Sequence, residues 1–124
     1  MSRMLFSSLI ILSLLICVNN IALCESNIKS KNIFKLDINL EKQKRLQAEV
    51  DNGHQPWRLG PIDVAFAALT DIDKNIKYEN CNIDSKTNSK AEVICKGTTK
   101  SYLINLKRIV RLDGIWTAIS IEEK

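Results

Sequence analysis

Cys81-Asn-Ile-Asp-Ser-Lys-Thr-Asn-Ser-Lys-Ala-Glu-Val-Ile-Cys95 is the stretch that decides the fold. Its centre, Ser85–Lys90, is polar and turn-forming, with runs of strand character on either side, Ile76–Asp84 and Ala91–Lys96. Turn residues between two such runs read as an antiparallel hairpin. Folding the chain back about Asn88 sets Cys81 opposite Cys95 and Ile83 opposite Val93. Directly opposed residues have Cβ atoms about 4.5–5.5 Å apart, so closest pairing or local twist brings two cysteines within disulfide reach. A bridge closing this 15-residue loop contributes on the order of 3 kcal/mol in the chain-entropy account. A redox-active pair would instead want Cys-x-x-Cys spacing, which is absent.

Toward the C-terminus, Gly97–Lys100 reads as the next turn and Tyr102–Leu112 as the next strand. Asp113-Gly114 is the strongest short hairpin signal in the chain. Centred there, Leu112 pairs with Ile115, Val110 with Thr117, Arg108 with Ile119 and Leu106 with Ile121, giving a face directed at a helix. The other face pairs Arg111 with Trp116 and Ile109 with Ala118, so an arginine is expected over an indole.

Toward the N-terminus, Ile62, Ala65, Phe66, Leu69 and Ile72 recur at helical spacing, with Val64, Ala67 and Ala68 widening the apolar face. Pro61 suits the first helical position, and Asp63 places negative charge in the first turn. Before it, Gly53–Pro61 (GHQPWRLGP) reads as a rigid extended connector, because Pro56 disfavours helical angles at Gln55. An earlier helix is expected from Leu36 or Asn39 to Val50, its stripe of Leu36, Leu40, Leu46 and Val50 interrupted by Gln43 and Gln47. Gly53 stops it by taking the left-handed conformation. The expected fold is α+β, with one or two N-terminal helices packed on a four-stranded antiparallel meander.

Met1–Cys24 reads as a signal peptide: Arg3, then an apolar run from Met4 to Val18, then small residues at Ala22 and Cys24. The apolar run of 15 residues falls short of the roughly 20 needed to cross a bilayer. Residues 25–35 are expected to be a flexible lead-in, and 36–124 a single domain. The expected location is secreted or in the cell envelope. Membrane attachment enters only if the N-terminal segment is retained or Cys24 is lipidated. Loss of 24 of the 124 residues leaves 100, with 17 basic against 14 acidic and a net charge of +3. That weak, dispersed excess does not make a nucleic-acid groove.

A helix followed by a curved antiparallel meander that ends in Gly114-Ile-Trp-Thr-Ala-Ile-Ser-Ile121 resembles the cystatin-like and NTF2-like group of small domains. The turn Asp113–Trp116 is similar to the last hairpin of exported bacterial members, and the connector Gly53–Pro61 to one preceding the main helix in small secreted proteins. The resemblance spans residues 45–122 and implies a fold more than an activity, since the group contains enzymes and pure binding domains.

No catalytic set assembles. His54 is the only histidine and has no nucleophile motif beside it. Asp71, Asp73 and Asn75 imitate the start of a calcium loop, but Ile76 and Asn82 stand where glycine and glutamate are required. No metal and no cofactor is expected. Trp57, Arg58 and His54 are the candidate binding residues, because a tryptophan and an arginine on a rigid loop suit recognition. The expected function is an exported, non-enzymatic binding or interaction module for an unknown protein or envelope component. The alternative is a small-ligand or enzymatic pocket between the second helix and the sheet, with His54 or Asp63 at its mouth. A homodimer through the face carrying Ile109, Arg111, Trp116 and Ala118 is a third expectation.

Overall fold

The computed structural model describes residues 32–124, and the stretch read as a signal peptide, with most of the expected lead-in, lies outside them. The described residues form one compact unit. The order is β1 (Ile33–Lys35), α1 (Leu40–Asp51), a 3-10 turn (Pro56–Leu59), α2 (Pro61–Thr70), a second 3-10 turn (Tyr78–Asn80), then β2 (Cys81–Lys86), β3 (Lys90–Lys96), β4 (Ser101–Lys107) and β5 (Thr117–Glu123). The strands make one antiparallel sheet of five, ordered β1-β5-β4-β3-β2. The fold is α+β, but the expected meander of four strands is extended. The fifth, β1, arises within the stretch read as a lead-in, and the helices follow it. Its pairing explains why: Phe34 lies against Ile121 and Lys35 against Ser120, so β1 covers the free edge of the last strand.

The hairpin about Asn88 forms in the expected register at its open end, with Cys81 opposite Cys95 and Ile83 opposite Val93. A bulge at Asp84 shifts the pairing by one toward the turn, where Ser85 lies opposite Glu92 and Lys86 opposite Ala91. Cys81 and Cys95 are joined by a disulfide with their Cα atoms 4.0 Å apart. Both cysteines belong to the core with Val93, Ile104, Leu106, Trp116 and Ile121. The first strand begins at Cys81 rather than Ile76, after the Tyr78–Asn80 turn.

The connection between β4 and β5 departs furthest from the sequence pattern. The strand expected over Tyr102–Leu112 ends at Lys107, and pairing resumes only at Thr117. Asp113-Gly114 still turns the chain, with Gly114 N–H donating to Arg111 O at 3.1 Å, but the turn sits inside a nine-residue loop, 108–116. The register moves accordingly: Leu106 pairs with Ala118 and Ile104 with Ile121, and the pairs Val110–Thr117, Arg111–Trp116 and Ile109–Ala118 do not form. Burial wins over local turn preference here. Ile115 and Trp116 are 0% and 1% exposed, which requires them to leave the strand and enter the core.

α2 is the core helix its pattern predicts. Gly60 N–H bonds to Trp57 O, Pro61 starts the helix where no N–H partner is needed, and Val64, Ala65 and Leu69 are buried against β2 to β5. Ile72 lies past its end and is exposed. In α1 the side chain of Asn39 caps the first turn by accepting from Lys42 N–H at 3.1 Å. The helix ends in a Schellman motif: Gly53, at φ 85°, donates to Val50 O, and His54 N–H donates to Glu49 O. Leu40 is exposed, whereas Gln47 is 3% exposed, so the two glutamines that interrupt the apolar stripe mark the face that faces inward.

Candidate functional site

The three candidate residues lie on one short connector, and local chemistry fixes its path. His54 occupies the position that closes the Schellman motif, with its side chain exposed. Gln55 is then left-handed, at φ 49° and ψ 53°, not extended as expected. A non-glycine residue in that region costs roughly 1 kcal/mol or more and persists only where its neighbours hold it. They do so here. Gln55 Nε2 donates to Glu49 Oε2 at 3.2 Å, Arg58 Nε donates to Gln55 Oε1 at 2.7 Å, and Arg58 N–H donates to Gln55 O at 3.2 Å. Pro56–Leu59 consequently winds as a 3-10 turn instead of running straight.

The connector is also tied to the core. Trp116 N–H donates to Arg58 O at 3.0 Å, crossing from the loop that enters β5. On this base Trp57 is 38% exposed, with the Arg58 guanidinium 4.4 Å from its ring centroid. Partial burial lowers the Arg58 pKa and the Glu49 carboxylate opposes that shift. Its Nε is engaged by Gln55, while its two Nη groups carry no hydrogen bond to the described residues. The arrangement offers a flat apolar surface beside a forked donor, suited to a planar or carboxylate-bearing group.

Asp63, in α2's first turn, lies beside Tyr78, its carboxylate holding the Tyr78 phenol above its ordinary pKa. Asp73 is committed elsewhere. Its Oδ1 accepts from Asn75 N–H at 2.9 Å and its Oδ2 from Tyr102 Oη at 3.0 Å. Burial, with Asp73 adding to it, pushes the Tyr102 phenol up. Among the described residues no three His, Cys, Asp or Glu side chains gather as metal ligands would.

A second constellation beside the connector was not legible as one in the sequence. The arginine over Trp116 is Arg108, 4.3 Å from the ring centroid, and not Arg111. Arg108 also donates to Gly114 O, Leu112 O and Asn88 O, so one guanidinium ties the 108–116 loop to the β2–β3 turn. Gln47 Oε1 accepts from Ile115 N–H at 2.7 Å and Gln43 Oε1 from Thr117 Oγ1 at 2.9 Å, which brings α1 onto the same loop. Gly114 has to be glycine: a Cβ there would run into Gln47 Oε1 and would lie 2.9 Å from Arg111 Cγ. Arg111 in turn makes a two-point ion pair with Asp51, at 2.6 and 2.9 Å. The available signal was the spacing of Gln43 and Gln47, four apart on one helix face. The face expected for a dimer is therefore taken apart, since Trp116 is buried and Arg111 is engaged with α1.

Comparison with protein-family models, with curated proteins and with solved structures finds no match to this chain.

Proposed function

We propose that this chain is an exported binding module that engages a protein or envelope component through Trp57 and Arg58. One observation carries the reading. An exposed tryptophan, stacked by an arginine with unengaged Nη groups, stands on a connector whose backbone is held by Gln55, Glu49 and Trp116. Tryptophan and arginine dominate binding energy at protein interfaces, and a connector already fixed loses little freedom when a partner docks. Gln55 sits in a costly conformation to hold that connector in place. Export is supported by the Cys81–Cys95 bridge, a cross-link that persists in oxidising compartments. A five-stranded antiparallel sheet with a helix on one face is compatible with the proposed kinship to the cystatin-like and NTF2-like group.

The test is quantitative capture. The chain, immobilised through its C-terminus, is exposed to the envelope fraction of its own source, and retained proteins are quantified by mass spectrometry. Trp57→Ala and Arg58→Ala should each lower retention of the specific partner by about tenfold, the loss typical of an interface hot spot. Circular dichroism and melting temperature should stay as in the parent. Undiminished retention in both folded variants would reject this site.

A further inference from the structure

The face of the sheet opposite α2 carries a second, independent feature. A hollow of about 270 Å³ opens there, lined by Lys90, Glu92, Asn105, Lys107, Ile119 and Ser120. β5 is bulged beside it: Asn105 pairs with Ser120 and Leu106 with Ala118, so Ile119 is an extra residue. Bulges re-aim side chains and are frequent beside functional sites. Lys90 and Lys107 are directly opposed across β3 and β4. Like charges in that position destabilise a sheet. Among the described residues neither lysine makes an ion pair, and Glu92 does not neutralise them at salt-bridge distance. Asn105 Nδ2 donates to Ser120 Oγ at 2.9 Å, which uses one lone pair of that oxygen and leaves its O–H free to donate. Lys35 stands opposite Ser120 on β1, in the row of Ser120, Asn105 and Glu92 and outside the lining of the hollow.

Two unpaired, mutually repelling ammonium groups and a hydroxyl with a free O–H line one small hollow. The geometry points to a binding site for a tetrahedral oxyanion, the phosphate or sulfate group of a small ligand, held by Lys90, Lys107 and Ser120. An anion between the lysines would turn a repulsive pair into two charge-assisted bonds. Ile119 supplies the apolar wall beside it. The site is separate from the Trp57–Arg58 pair and does not depend on it.

The 15N-labelled protein is titrated by NMR with inorganic phosphate, with glycerol 3-phosphate and, at equal ionic strength, with chloride. Saturable shifts should concentrate at Lys90, Asn105, Lys107 and Ser120 for the two phosphates and be absent with chloride. Tighter binding of the ester would assign the site to a phosphorylated small molecule, and equal binding to the free ion. Lys107→Gln should weaken binding by about tenfold, as loss of a hydrogen bond to a charged group does. The same change should raise the melting temperature by about 2 °C, because it relieves the like-charge pair. Ser120→Ala should weaken binding by about fivefold. Glu92→Gln should tighten it by about threefold. Shifts equal in phosphate and chloride, or unchanged affinity in folded Lys107→Gln and Ser120→Ala proteins, would overturn the proposal.

Discussion

The β2–β3 hairpin and the β4–β5 connection are both antiparallel returns of the same sheet, yet they are specified in different ways. The first closes over three residues between Lys86 and Lys90, and its register from Cys81 to Ile83 is the one that alternation and turn composition predict, with a single bulge at Asp84 before the turn. The second contains the stronger turn signal, Asp113-Gly114, but takes nine residues to close. Its path is set by contacts distant in sequence: Gln47 on Ile115, Arg58 on Trp116, Arg108 stacked on that indole. A local signal decides the register where nothing competes with it. Where a large apolar side chain has a better place in the core, burial decides, and the turn is absorbed into a loop.

If that contrast is correct, the largest effect should come from removing the side chain that drives the second region. Trp116→Ala should cost about 3–5 kcal/mol, the range for large aromatic deletions in a core. For a domain of this size that approaches its whole stability. Denaturant unfolding measures it, and a cost below about 1 kcal/mol would mean that the indole follows the loop instead of directing it. The hairpin should respond differently. Replacing Cys81 and Cys95 together by serine should cost on the order of 3 kcal/mol. Yet the cross-strand contact of Ile83 with Val93 should persist in NMR spectra, because the register does not depend on the bridge. Its disappearance would make the disulfide the organiser and erase the contrast.

Smaller effects sharpen the picture. Gln47→Leu keeps much of the volume but leaves the Ile115 N–H buried without an acceptor, at about 1–3 kcal/mol. Had the sequence stripe been a guide to packing, the same substitution would stabilise α1 by completing its apolar face. The sign of the change in unfolding free energy separates the two. The smallest effect is electrostatic and confined to acid. The Arg111 guanidinium, with Gln47 helping, holds the exposed Asp51 carboxyl below its ordinary pKa. A depressed carboxyl stabilises the fold above its unfolded-state pKa of about 3.9, and that contribution is lost as pH falls through the folded value. Asp51→Asn should therefore lower the melting temperature slightly at pH 6 and match the parent near pH 2. Equal differences at both pH values would show that the ion pair contributes nothing.

What the sequence disclosed follows the same division. Cys81 opposite Cys95, the stop at Gly53 and the whole of α2 were legible, because each rests on spacing or on one residue's backbone preference. β1 was not, since three residues carry no periodicity and its partner is the far end of the chain. Gln43 and Gln47 looked like defects in a stripe, because their acceptors are used by a loop some 70 residues later. Trp57 and Arg58 could be singled out by type, and they do lie stacked and partly exposed. The left-handed Gln55 that fixes them could not be foreseen, because the residue before a proline ordinarily avoids helical angles of either kind.

Hydrogen exchange in Arg108→Met tests the central claim most directly, because Arg108 is the side chain that joins the loop, the indole and the β2–β3 turn. The Ile115 and Trp116 amides, which donate to Gln47 and Arg58, should lose at least about tenfold more protection than the amide of buried Val93 on β3. An equal loss at all three amides, or none, would contradict the account.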